Sequence, residues 1–280
     1  MLEVKGLRFG YVPGRDIIDD VDFTIGEGEF IALGGRNGCG KTTVTRLLMG
    51  LEKPRGGNIY YDGEDITKLA PADRGRFIGY VFQQPDRQMF RPTVGAEVSF
   101  GPEQLGYTKA EVSEITDRAL AQTGILHLKE AYPPTLRRGE KQRVAIASAL
   151  AMNSKILILD EPTSGQDGKE TRELLELLET LRATGLTIIL VTHDMEIIAG
   201  HCTRAIIVGY GTKAFDGTPE ELFTKRDDLF DLGLTKPACV ELSDAVPGIG
   251  YCKSMVEFEE RMLALKQGAA VKAHTVDMMK

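Results

Sequence analysis

A glycine-rich octapeptide constrains this chain more than any other feature. Residues 35–42 read Gly-Arg-Asn-Gly-Cys-Gly-Lys-Thr and follow the apolar run Phe-Ile-Ala-Leu at 30–33. Residues 44–51, next along the chain, have helical spacing. A strand, this glycine loop and a helix are together typical of a phosphate-binding P-loop. A glycine-rich turn with a surface lysine is the alternative, and this context disfavours it. The sequence therefore predicts a nucleoside triphosphate site.

The parts of this loop have distinct predicted roles toward the nucleotide. Glycine N–H groups and the helix N-terminus are suited to surround phosphate oxygens. Lys41 is predicted to reach the β- and γ-phosphates, and the Thr42 hydroxyl to bind Mg²⁺. The predicted nucleotide-binding residues of the loop are Gly35, Arg36, Asn37, Gly38, Cys39, Gly40, Lys41, Thr42 and Thr43.

Composition narrows the class of protein. The net charge of −7 argues against a general nucleic-acid binder, so no nucleic-acid partner is expected. The longest apolar runs are strand-sized and fall short of the roughly 20 residues of a membrane span. Residues 1–5 lack an apolar signal region, which predicts a cytoplasmic chain. The four cysteines lack metal-ligand spacing and are interpreted as free thiols.

The order of elements predicts an α/β protein. Strand patterns alternate with helical ones, which implies a largely parallel sheet. Two alternating β segments precede the P-loop strand, and an inserted helical subdomain is predicted at about 92–150. We assign residues 1–217 to this core and 218–280 to a small C-terminal helical extension, a candidate dimerisation element. The predicted elements include strands at 77–82, 155–159 and 186–191 and helices at 110–122, 139–151, 170–182, 219–224, 227–232 and 256–266.

Two carboxylates end a second buried strand. The run Ile-Leu-Ile-Leu at 156–159 is followed by Asp160 and Glu161. In open α/β sheets, ligands bind at the carboxyl ends of the strands. Asp160 is predicted to hold Mg²⁺ and Glu161 to act as general base toward the attacking water. Two solvated acids at a strand end are the alternative. Gln83 and His193 also follow predicted strands, where Gln83 would contact Mg²⁺ and water and His193 the γ-phosphate; each signal alone is weak.

In order and spacing, these motifs resemble the nucleotide-binding subunit of an ATP-binding cassette (ABC) transporter over residues 1–217. The resemblance implies a P-loop NTPase fold with an ABC-type core, in which a mostly parallel sheet is joined by an antiparallel β subdomain and a helical subdomain. It implies that Tyr11 stacks on adenine and that Gln83 and His193 join Glu161 in catalysis. It also implies a D-loop formed by Ser164, Gly165, Gln166 and Asp167.

A narrower resemblance is to the energy-coupling-factor importers, which move cobalt, nickel or vitamins. It lies in Val-Phe-Gln-Gln-Pro-Asp-Arg-Gln-Met-Phe at 81–90, Phe-Gly-Pro-Glu at 100–103 and Leu-Gly-Leu at 232–234. It implies an ATPase at the cytoplasmic face of the membrane, with a second ATPase chain, a membrane coupling subunit and a substrate-specificity subunit as partners. Residues 86–102 would form part of the groove for the coupling subunit; an ordinary connector is the alternative.

One motif departs from the family pattern. The signature Leu-Ser-Gly-Gly-Gln, or Glu at its end, is here Leu136, Arg137, Arg138, Gly139 and Glu140. In the family this motif contacts the partner chain's ATP, and two arginines add bulk where backbone approaches phosphate. A nucleotide-binding regulatory or structural subunit with weak hydrolysis is therefore the alternative function. A soluble ABC protein acting on DNA or ribosomes is a third, opposed by the single cassette. Whether the chain pairs with itself or with a different chain stays open.

Overall fold

Strands and helices alternate along most of the chain. The computed structural model describes residues 1–277 and, from residue 267 onward, the course of the backbone alone; residues 278–280 of the predicted extension lie outside it. The strands are β1 Leu2–Phe9, β2 Ile18–Ile25, β3 Phe30–Gly34, β4 Gly56–Tyr61, β5 Glu64–Asp65, β6 Ile78–Val81, β7 Ile156–Asp160, β8 Thr187–Val191, β9 Arg204–Gly209 and β10 Thr212–Gly217. The helices are α1 Lys41–Leu48, α2 Pro71–Arg74, α3 Val94–Gln104, α4 Lys109–Gln122, α5 Arg138–Ala151, α6 Gly168–Ala183, α7 Met195–His201, α8 Pro219–Lys225, α9 Ala238–Ala245 and α10 Met255–Asp277.

The larger sheet has six strands in the order β10-β9-β3-β8-β7-β6. The five strands from β9 to β6 pair in parallel, and β10 adds an antiparallel edge. Every residue of β3, β7 and β8 is buried. Apolar strands buried on both faces are typical of parallel sheets covered by helices. The predicted α/β fold with a mostly parallel sheet is confirmed.

A second, antiparallel sheet covers one face of the first. Its order is β2-β1-β4-β5. Residues on β2 alternate between buried and exposed near its carboxyl end, as expected of a strand with one face in the core. The apolar face of this antiparallel sheet packs with α1 and the larger sheet in one hydrophobic cluster, which includes Leu7, Val21, Leu47 and Ile158. This is the antiparallel β layer that the family resemblance implies.

Three helices, α3, α4 and α5, form a separate layer with its own hydrophobic cluster, which includes Val98, Leu120 and Val144. A capping box starts α4, where Thr108 and Glu111 each bond the other's backbone N–H. The sequence pattern predicts α4 and α5 within one residue at each end. It does not predict α3, because Gly95, Gly101 and Pro102 interrupt the helical signal.

The prediction of a helix at 227–232 is wrong. Residues 229–234 form a turn, in which Gly233 N donates to Phe230 O at 2.9 Å and Leu234 N to Leu229 O at 2.8 Å. Leucines at 229, 232 and 234 imitate helical spacing, but their side chains are buried in the core that also covers the larger sheet. Beyond the turn, α9 and α10 complete the extension. Within residues 1–277, none of the helices combines the length and apolar character needed to cross a bilayer.

A buried arginine caps the C-terminus of α1. Arg74 is 1% exposed, and its guanidinium donates to the Leu47 and Leu48 carbonyls at 2.7 Å each. Two further bonds reach the Thr67 carbonyl at 2.8 Å and the Leu69 carbonyl at 3.2 Å. A cation at this position also opposes the negative end of the helix dipole. Arg74 therefore joins the P-loop helix to the antiparallel layer.

We expect Arg74→Ala to lower the free energy of unfolding by about 3 kcal/mol, because two buried and two partly buried carbonyls lose a charged donor. Urea denaturation monitored by circular dichroism would measure the change. Arg76→Ala, at an exposed neighbouring arginine, is the control and should stay within about 0.5 kcal/mol of the parent. Equal stability of the two variants would contradict this cap.

Candidate active site

The P-loop joins β3 to α1 through three glycines with positive φ. The angles are +136° at Gly35, +80° at Gly38 and +108° at Gly40. A Cβ on Gly35 would lie 2.3 Å from the Val208 carbonyl oxygen. Helix α1 begins at Lys41, three residues before the predicted start, because the lysine and threonine of the motif form its first turn. The loop thus places backbone N–H groups at a helix N-terminus, which suits an anion.

Lys41 is 5% exposed and is held by the loop itself. Its Nζ donates to the Gly35 carbonyl at 2.8 Å and to the Arg36 carbonyl at 3.1 Å. These bonds compensate the ammonium for the water it loses on burial. The Cys39 side chain is buried within the loop, and this burial raises the pKa of its thiol and so reduces the thiolate fraction. The loop therefore holds one buried cation whose carbonyl partners a phosphate could replace.

Asp160 lies at the end of β7, beside the first turn of α1. The Thr42 hydroxyl donates to Asp160 Oδ1 at 3.2 Å, and the Tyr80 hydroxyl donates to Oδ2 at 3.1 Å. Burial raises the pKa of this carboxyl, and the two hydrogen bonds oppose that rise. A hydroxyl and a carboxylate within hydrogen-bond distance are the hard oxygen donors that Mg²⁺ prefers. Thr42 and Asp160 therefore fit a magnesium ion shared with a nucleotide phosphate.

The Glu161 carboxylate contacts two of the other predicted site residues. Gln83 Nε2 donates to Glu161 Oε2 at 3.1 Å, and His193 Nδ1 lies 3.3 Å from Oε1. The backbone N–H of Glu161 donates to the Val191 carbonyl at 3.0 Å. Its φ of +46° is rare for a residue with a side chain and marks local strain. The structure thus brings Gln83, Glu161 and His193 together, with the carboxylate between an amide and an imidazole.

Tyr11 lies at the open side of the P-loop. Half of its surface is exposed, and its ring packs edge-on against Phe9 with centroids 4.9 Å apart. Its hydroxyl lies 3.4 Å from Thr43 Oγ1. This arrangement leaves an aromatic face beside the phosphate loop, where a nucleotide base can stack.

The signature residues begin α5, away from the P-loop. Arg137 N donates to Glu140 Oε2 at 2.8 Å, which satisfies one N–H before the helix. The Arg138 guanidinium lies over the D-loop, since a Cβ on Gly165 would be 2.6 Å from its Nη1. Asp167 caps α6 by accepting from two backbone N–H groups. Among the described side chains, no hydrogen bond or ion pair joins residues 136–140 to residues 35–43.

Tyr80 belongs to the site but is missed by the sequence reasoning. Its hydroxyl donates to Asp160 and lies 3.1 Å from Thr45 Oγ1, so Tyr80 holds the carboxylate from the neighbouring strand β6. The sequence offered one signal for this residue, a tyrosine within a short buried strand three residues before Gln83. A cavity of about 410 Å³ opens here. Its lining residues are Thr42, Arg46, Tyr80, Phe82, Gln83, Gln84, Arg87 and Asp160.

Comparison with known proteins agrees with this geometry. The ABC transporter family matches residues 18–164, just over half of the chain. A protein of Pyrococcus horikoshii, described as an ABC transporter ATP-binding protein, is 38% identical over 257 residues, which are 92% of this chain and 97% of that protein. A protein of Methanosarcina acetivorans with the same description is 37% identical over 240 residues, 86% of this chain. The chain spans only 39% of that longer relative.

A solved structure shares the fold. It is cbiO1 from Clostridium perfringens, described as part of the ABC transporter complex cbiONQ. The TM-score is 0.75 at 35% sequence identity, and the match covers 87% of this chain and 98% of that one.

We expect Glu161→Gln to bind ATP and to hydrolyse it at least about 100-fold more slowly, because an amide cannot accept the water proton. Binding should survive, since Lys41 and the loop are untouched. Calorimetric titration would measure affinity, and phosphate release would measure turnover. Glu64→Gln, an exposed acid on β5, is the control and should behave as the parent. Unchanged turnover in Glu161→Gln would remove Glu161 as the base.

Proposed function

Because this chain belongs to the ABC transporter family of ATP-binding proteins, we propose that it is the ATPase subunit of an energy-coupling-factor importer for a cobalt or nickel ion or a vitamin. Members of the family are ATPases, so the chain binds and hydrolyses ATP. The observation that supports the importer class most directly is the likeness to cbiO1, described as part of a cbiONQ complex. On this proposal the chain acts at the cytoplasmic face of the membrane, beside a coupling subunit and a specificity subunit.

The proposed chemistry assigns one role to each residue of the site. Lys41 and the loop N–H groups bind the β- and γ-phosphates. Thr42, Gln83 and Asp160 line one cavity and would hold Mg²⁺, which would neutralise charge on the phosphate oxygens. Glu161 accepts the proton of the attacking water, which Gln83 and His193 orient. Their hydrogen bonds to Glu161, 3.1 and 3.3 Å long, support this assignment.

An exposed phenylalanine, Phe90, lies within residues 86–102 and suits a membrane partner. Phe90 is 64% exposed and meets Phe100 of α3 edge-on, with centroids 4.9 Å apart. The Arg91 guanidinium lies 4.6 Å from the Phe100 ring centre. Glu97 Oε2 accepts the backbone N–H of Phe90 at 3.0 Å and of Arg91 at 2.9 Å, which holds the segment in place. A rigid exposed aromatic residue is the usual anchor of a protein interface.

We expect Phe90→Glu to lose the membrane partner while it retains basal ATP hydrolysis, because the change lies on the surface and leaves the site intact. The tagged chain would be purified from solubilised membranes of its own host, and co-purifying membrane proteins would be measured by mass spectrometry. Leu69→Glu, at a 40% exposed leucine after β5, is the matched control. Equal recovery of membrane proteins by both variants would argue against this groove.

Uptake by membrane vesicles tests the importer proposal itself. Vesicles that contain the complex should accumulate one radiolabelled solute among Co²⁺, Ni²⁺ and vitamins when ATP is supplied. The same vesicles with Glu161→Gln should not. ATP-dependent accumulation of none of these solutes would contradict the importer class while leaving the ATPase assignment intact.

A slow, regulatory nucleotide-binding subunit is the second candidate. Arg137 and Arg138 replace the small residues of the signature, and Arg138 lies over Gly165 of the D-loop. In a head-to-tail pair, this bulk would face the ATP held by the partner chain. A homodimer would carry the change at both sites. A heterodimer with an intact partner would keep one complete site.

We expect the double variant Arg137→Ser and Arg138→Gly to hydrolyse Mg-ATP at least about tenfold faster than the parent chain alone, because backbone can then approach phosphate closely. Steady-state phosphate release by the purified chain is the measurement. The matched control, Arg172→Ser and Lys169→Gly on α6, changes charge equally without touching the signature. Equal rates for parent and restored chain would show that the arginines are tolerated.

A further inference from the structure

The turn at residues 229–234, between α8 and α9 of the C-terminal extension, lies against the P-loop. A Cβ built on Gly233 would be 2.9 Å from the Cβ of Arg36, closer than real Cβ contacts. The φ of Gly233 is +69°, in the region that favours glycine. The atom it meets is joined directly to the backbone of the loop and cannot rotate away. A side chain at position 233 would therefore displace the P-loop or the turn.

The turn itself has little freedom to move. Leu229, Leu232 and Leu234 are 6%, 5% and 3% exposed and belong to the main core. A Cβ on Gly209, the last residue of β9, would lie 2.9 Å from Leu232 Cδ2. Strand β9 pairs in parallel with β3, which leads into the P-loop. The turn, strand β9 and the P-loop are thus packed as one unit. A side chain added at position 233 would therefore displace the P-loop.

Arg36 connects this contact to the phosphate-binding lysine. Its carbonyl accepts from Lys41 Nζ at 3.1 Å and from Cys39 N at 3.2 Å. A displacement of the Arg36 backbone moves the oxygen that orients Lys41 and the N–H groups that follow. Small displacements of groups that bind phosphate have large effects, because the bonds are short and directional.

We propose that Gly233 is a positioning residue for the P-loop, so that the C-terminal extension sets the affinity of the site for ATP. It acts through Arg36 on Lys41 and touches no nucleotide itself. The inference depends on nucleotide binding by this chain and not on which solute is imported.

The test is Gly233→Ala in the full-length chain, with Gly248→Ala as the matched control. Gly248 lies in the same extension at φ +89°, but its nearest added contact would be Leu265 Cδ2 at 3.9 Å. Both variants carry similar backbone strain, and only the first meets the P-loop. Calorimetric titration with the magnesium complex of the non-hydrolysable analogue AMPPNP measures Kd without turnover. We expect Kd to rise about three- to tenfold in Gly233→Ala and to change less than about twofold in Gly248→Ala.

A double-mutant cycle with Arg36→Gly decides whether the effect passes through Arg36. This change removes the Cβ that Gly233→Ala would meet. In the Arg36→Gly background, Gly233→Ala should therefore cause no further rise in Kd. A rise that persists in this background would overturn the proposal, as would equal effects of the two glycine variants or no effect of either. If Gly233→Ala alone does not fold, a double variant that folds with the Kd of Arg36→Gly supports the contact, and one that stays unfolded or binds more weakly than Arg36→Gly overturns it.

Discussion

The parallel register of β3, β8 and β7 is the constraint on which the site depends. Leu33 pairs with Val191, and Val191 pairs with Asp160, so these strands end at one level. The P-loop, the carboxylates and the residues before His193 consequently emerge side by side. Side chains are packed on both faces of all three strands, so a shift of register by one residue would exchange the side chains that the two faces present. Close packing on both faces therefore holds the register, and with it the geometry of the site.

The site concentrates charge at the end of a buried sheet. Lys41 and Asp160 are 5% and 6% exposed, and each has its own hydrogen-bond partners within the fold. A charge in this position without partners would cost several kcal/mol, so these bonds are required even before a nucleotide binds. Glu161, one residue beyond Asp160, has strained backbone and turns toward Gln83 and His193. The two neighbouring carboxylates thus have different surroundings. Those of Asp160 suit a cation, and those of Glu161 suit the transfer of a proton.

The proposed membrane groove and the signature helix are joined by a short ion pair. Lys141 Nζ of α5 lies 2.5 Å from Asp86 Oδ1, three residues after Gln83; the lysine side chain is 15% exposed and the aspartate side chain 61%. Because the aspartate is exposed, water and salt screen part of this attraction. A displacement of residues 83–90 would move α5 with it or break this pair. Arg137 and Arg138 stand at the start of the same helix.

The sequence alone determined the class of fold and named most residues of the candidate site. Glycine spacing and strand-end carboxylates are local patterns, so Lys41, Thr42, Asp160 and Glu161 could be named without coordinates. Gln83 and His193 needed the family resemblance, because a single glutamine or histidine after a strand carries little information. Tyr80 was missed, since its hydroxyl becomes meaningful only when β6 and β7 pair and it reaches Asp160. The turn at 229–234 imitated a helix for the same reason: burial of three leucines against a distant sheet overrode local spacing. The contact of Gly233 with Arg36 joins residues almost 200 positions apart, and only tertiary packing could decide it.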